Sequence, residues 1–149
     1  MNNKILMGFG SVGLKRGRIK NSQKAISQLM EKINPFLVQS SFLDGAPFEL
    51  ISVIIRWGDN YSKVADIRKV DKRHKELPVA FEVPLDELRM ESVEKLEVIY
   101  AKYAIQILRQ VTEDFNLSEQ VIDSLEQKFD FSDPTGQPIS EPRANWYEK

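Results

Sequence analysis

One histidine, His74, is the sole imidazole in the 149 residues, and any Ser/His/Asp chemistry would have to pass through it. It stands among Lys72, Arg73 and Lys75, and no serine has a nucleophile-elbow sequence around it, so it reads as a solvated loop residue. There is no cysteine and no His-x-x-x-His or Asp-x-Asp pattern. No metal site and no disulfide is therefore expected. The carboxylates Asp86, Glu87, Glu91, Glu94 and Glu97 could pair for acid–base work. Their spacing is that of a solvated helix entrance, where negative charge complements the macrodipole. Gly8-Phe9-Gly10-Ser11-Val12-Gly13 is a formal match to the dinucleotide fingerprint. That motif needs a helix opening at the glycines and an acid ending a second strand. Here Leu14 to Lys20 follows, no helix opens before Asn21 or Ser22, and the glycines are read as a bend or a close backbone approach. No cofactor is expected.

Charge is the next source of chemistry. The net charge is only −1. Residues 1–75 nevertheless hold 14 Lys and Arg against 6 Asp and Glu, and residues 76–149 hold 7 against 16. Either the two halves meet in the fold, or the surface is dipolar and steers a charged macromolecule. The basic segments 15–20 and 68–75 would form a phosphate-binding stripe if they converged. A pI near 5.9 and the lack of a stacking aromatic in either segment count against it.

These residues must be positioned by one domain. A hydrophobic content of 42% with 29% charged residues is that of a soluble globular protein. A chain of this length can bury roughly two-thirds of its unfolded surface. Met1 to Met7 has no signal-peptide pattern, and no apolar run approaches the ~18 residues of a membrane span, so a cytoplasmic protein is expected. The densest short apolar run, Pro47 to Asp59, reads as an inner strand buried on most of both faces. Ile51, Val53, Ile55 and Trp57 alternate with Leu50, Ser52, Ile54 and Arg56.

Before this run, Lys4 to Gly13 reads as a strand and Asn21 or Ser22 caps a helix that Asn34-Pro35 should end. After it, Gly58-Asp59-Asn60 signals a hairpin with Tyr61 to Val70 as an exposed return strand, and Leu77 to Leu85 reads as another strand. Ser92 opens the longest helix, to about Phe115, and Ser118 a shorter one to Phe129. The expectation is an α+β fold in the order β-α-β-β-β-α-α. Its sheet should be small, mostly antiparallel and of about four strands, packed against three helices, with the first strand, helix and second strand open to pairing as a right-handed parallel crossover. The domain should span 1–129, with an irregular proline-rich tail at 130–149.

Three stretches carry a resemblance. Gly8-Phe9-Gly10 leading into Leu14-Lys15-Arg16-Gly17, Ala46 through Gly58, and Glu76-Leu77-Pro78-Val79-Ala80-Phe81-Glu82 are similar to the immunity protein 39 family of bacterial polymorphic toxin systems, over about residues 4–125. The resemblance implies a cytoplasmic protein without enzymatic activity that holds a cognate toxin domain inactive by binding it. Should that toxin be a basic nuclease, Asp86, Glu87, Glu91 and Glu94 would suit it as an acidic docking face, and Arg56, Trp57, Asp59 and Tyr61 at the hairpin as anchors. The alternative is a nucleic-acid-binding or regulatory module using the basic segments at 15–20 and 68–75.

Overall fold

The computed structural model describes residues 4–9, 20–58, 66–67, 69–84 and 91–128. Their order is β1 (Lys4–Phe9), α1 (Lys20–Gln39), β2 (Leu50–Gly58), β3 (Asp66–Ile67), β4 (Glu76–Pro84), α2 (Val93–Phe115) and α3 (Glu119–Lys128). The class is α+β with three helices, as expected. The largely antiparallel sheet of about four strands is not what forms. β1, β2 and β4 make a three-strand parallel sheet, and the two residues of β3 add an antiparallel pair at its margin, in the order β1-β2-β4-β3.

The hairpin expected after Gly58 does not form, because both sides of β2 are taken. Lys4 to Phe9 pairs with Leu50 to Ile55 on one side, and Glu76 to Pro84 pairs with Leu50 to Gly58 on the other. Of the expected return strand, Asp66–Ile67 is described and pairs with β4 instead, while residues 61–65 and 68 lie outside the described residues. Pro78 fits inside β4 for a reason the pairing makes plain. Glu76 exchanges both backbone hydrogen bonds with Asp71, at 2.8 and 3.2 Å, so even-numbered residues of β4 direct their backbone groups away from β2. The N–H that proline lacks would have pointed outward, and no ladder bond to β2 is lost.

The strands alternate, with Ala80 the one outward-facing residue that is also buried among those described. Ile5, Ile51, Val53, Ile55, Leu77, Val79, Phe81 and Val83 are buried against the helices. On the opposite face Leu6 and Ile54 are 43% and 38% exposed. The expectation that β2 is buried on most of both faces is therefore corrected to one face.

α1 also departs from expectation. It runs through Pro35 to Gln39. A proline inside a helix costs about 3 kcal/mol through its lost N–H bond and ring clash. Continuing the helix keeps Leu37 on the stripe of Ala25, Leu29 and Ile33, all at most 1% exposed. Asn34 reaches from this segment to the sheet, its Oδ1 accepting from the Ile5 N–H at 2.8 Å. Ser22 is no cap. It lies inside α1, buried, with its hydroxyl 2.8 Å from the Tyr100 hydroxyl.

α2 begins where the sequence indicates. The Ser92 side chain accepts from the Lys95 N–H, and Asn116 in the left-handed region closes the other end. Its burial is wider than one apolar face, adding Val98, Ala101, Ile105 and Thr112. Phe81 stacks on Tyr103 at 4.0 Å between ring centroids, and Phe48 meets Phe115 edge to face at 4.9 Å. α3 buries Ile122 and Leu125, and Arg109 of α2 pairs with its Asp123, at 3.0 Å, and with Glu126.

The carboxyl edge of the sheet as candidate functional site

Because β1, β2 and β4 are parallel, all three end at one edge, and the chain leaves the sheet there three times. α1 starts its return from that edge and α2 starts after β4, so both helix N-termini stand at it. Asn21 ties them together, its side-chain amide donating to the Glu91 carbonyl at 3.1 Å. The Ser22–Tyr100 hydroxyl pair fixes the same junction from inside. In open parallel sheets this edge is where loops and helix N-termini converge on a ligand or partner.

The edge gathers residues that the sequence keeps apart. Arg56, half-buried, stands near the end of β2 in register with Glu82 of β4. Glu91 and Glu94 open α2, Glu91 half-buried and its carboxylate 3.5 Å from the Lys95 ammonium, Glu94 exposed in the first turn. Negative charge there complements the positive end of the helix. Trp57 holds the backbone register position beside Val83. Asp59, Tyr61, Asp86 and Glu87 lie outside the described residues. Glu82 joins Arg56 at this edge and was not among the expected site residues. Its outward place in the β4 alternation was visible in the sequence, but its neighbour was not.

The two basic segments do not share an edge at their described ends. Lys20 begins α1 at the carboxyl edge, whereas Lys72, Arg73 and Lys75 occupy the turn that leads into β4 at the opposite one. A nine-residue strand separates those edges by about 30 Å. The first segment, residues 15–19, and Arg68 are outside the described residues. Of the glycine fingerprint only Gly8 and Phe9 are described, at the end of β1; Gly10 to Gly13 lie outside the described residues, and α1 opens at Lys20, seven positions after Gly13 in the sequence.

The turn before β4 is held by Asp71. One carboxylate oxygen accepts from the backbone N–H groups of Arg73 and His74, and the other lies 2.8 Å from His74 Nδ1. The hydrogen bond and charge of Asp71 raise the His74 pKa above its ordinary 6.5, and the same hydrogen bond lowers Asp71 below 3.8. The His74 contribution is complete below pH 6.5 and is lost as pH rises through its raised folded pKa. The Asp71 contribution is complete above pH 3.8 and is lost as pH falls through its lowered one. The turn is accordingly best held between those two values. An NMR titration should give His74 a midpoint above 6.5 that drops in Asp71→Asn, and an unchanged midpoint in that variant would refute the pairing.

Elsewhere, an open groove of about 660 Å³ lies between α1 and α3, with Phe36 and Val121 among its walls and Ser40, Asp123 and Gln127 supplying polar groups. Among the described residues no cluster of His, Cys, Asp or Glu could hold a metal ion, and no helix is long and apolar enough to cross a membrane.

No curated protein and no solved structure matches this chain. A protein-family model does, over residues 1–128, which takes in every described element: the chain belongs to the family described as immunity protein 39.

Proposed function

We propose that this protein neutralises a cognate bacterial toxin by binding it directly, with the carboxyl edge of the parallel sheet as the docking face and no reaction of its own. Family membership supports the class of function. The observation that carries the choice of face is the convergence of Arg56 and Glu82 with Glu91 and Glu94 at one edge beside two tied helix N-termini. A basic toxin, such as a nuclease domain acting in the cytoplasm, suits the carboxylates, with Asp86 and Glu87 in the segment that leads into α2. Arg56, Trp57, Asp59 and Tyr61 are the proposed anchors from the β2 side. Charges on the rim of an interface govern encounter and selectivity more than lifetime.

Co-expression with the toxin encoded beside this gene is the direct test. The expected result is rescue of growth and co-purification of the two chains; a toxin that still kills and does not co-purify would sink the reading. Glu91→Lys with Glu94→Lys should slow association by roughly tenfold at low salt, with a smaller effect at high salt. An unchanged on-rate would remove these carboxylates from the interface. Steep salt-dependent binding of the protein to DNA or RNA would instead favour the basic segments at 15–20 and 68–75 as the working surface.

A further inference from the structure

Parallel sheets are ordinarily covered on both faces, yet among the described residues the helices pack against one. Across β1, β2 and β4 the other face reads in rows: Lys4, Leu50 and Glu76; Leu6, Ser52 and Pro78; then Ile54 beside Ala80, and Arg56 beside Glu82. Leu6 and Ile54 are the most exposed aliphatic residues of the sheet, whereas Leu50, Ser52 and Pro78 are half-buried and Ala80 is buried. Cations stand on the β1 and β2 side and carboxylates on the β4 side. An aliphatic centre with a charged rim is the anatomy of an interaction surface.

We infer that this face belongs to the toxin-docking surface and takes an apolar element of the toxin, with an acidic group directed to Lys4 and Arg56 and a basic group to Glu76. The inference rests on the neutralisation reading. The occupant is chosen by area and continuity. Three strands about 4.8 Å apart, six to nine residues long, present only about 300–400 Å². A stable interface needs about 800 Å² per partner, so the face alone is too small to hold a second copy of this chain. Arg56 and Glu82 belong both to this face and to the carboxyl edge, which makes the two surfaces continuous. A partner seated on the edge that also covers the face adds the edge's area to that of the face. The two parts then divide the work: edge charges set the association rate, while desolvation of Leu6 and Ile54 sets the lifetime of the complex.

The test uses the full chain and the toxin domain encoded beside it, carrying a substitution that abolishes toxicity. Leu6→Asp and Ile54→Asp should each weaken binding at least tenfold, chiefly through faster dissociation, with thermal midpoints close to that of the parent. Should either aspartate variant fail to fold, Leu6→Ser and Ile54→Thr replace them, with a smaller loss in the same direction. Binding within twofold of the parent by folded variants would overturn this inference and leave the neutralisation reading standing. Failure of the parent itself to bind would sink both. Two further outcomes would also overturn it: a parent dimer in light scattering that Ile54→Asp dissociates, which assigns the face to a second copy, or a rise in apolar dye binding on deletion of residues 129–149, which assigns it to the tail.

Discussion

Phe81→Ala is expected to lower the unfolding free energy by about 3–5 kcal/mol, the range for removing a buried aromatic side chain. Phe81 lies on the helix-facing side of β4 with 2% of its surface exposed, and its ring stacks on Tyr103 of α2, itself fully buried. The cavity would open between the sheet and its longest helix, where the strands are held in register and cannot close inward. The loss combines the transfer free energy of the ring, the cavity term and the aromatic pairing of about 0.5–1.5 kcal/mol. For a domain of this size the midpoint should fall by roughly 8–15 °C. Phe81→Leu retains most of the volume and should cost less than half as much. A drop under about 1 kcal/mol for the alanine variant would mean that Phe81 does not join these two layers.

Leu37→Ala should cost about 2–5 kcal/mol in denaturant titration. The position is informative because it lies beyond Pro35, where local backbone preference argues for a helix end. Leu37 is 1% exposed and continues the buried stripe of Leu29 and Ile33. Its burial, with that of neighbouring apolar groups, offsets the proline penalty of about 3 kcal/mol. In Leu37→Ala that compensation is removed while the penalty stays, so the last turn of α1 should also show faster amide exchange than in the parent. A loss under about 0.5 kcal/mol would place Leu37 outside the core. Relative to a total stability of about 5–15 kcal/mol, either core substitution is large.

Several elements were legible because the signals that specify them are local. The Ser92 cap and the 3.6-residue repeat of Leu96, Ile99, Tyr103 and Ile107 mark α2, and the structure begins and ends it there. The alternation of Val79, Phe81 and Val83 marks β4 and the face it buries. The additional burial of Ala101 and Thr112 was not visible, since small or polar residues become core only when neighbours close over them. The end of α1 departs from its local signal for the opposite reason: Asn34-Pro35 is outweighed by packing and by the Asn34 hydrogen bond to Ile5, a partner 29 residues away.

The candidate site divides along the same line. The chemical character of Arg56, Glu91 and Glu94, and the lack of a cysteine or metal-ligand pattern, are properties of the sequence alone. So is the resemblance that points to immunity proteins, which the family match over residues 1–128 bears out. That these charged residues share an edge depends on strand direction, and direction depends on which strands pair. Gly58-Asp59-Asn60 favours a hairpin locally, but β2 instead pairs on both sides with strands distant in the chain. The sequence by itself therefore determined the element types, most of the buried faces and the family. The tertiary structure alone decided that the sheet is parallel, that its carboxyl edge unites two separate groups of charges, and that Leu6 and Ile54 are left exposed on the face opposite the helices, because strand pairing minimises the free energy of the whole core rather than of any one turn.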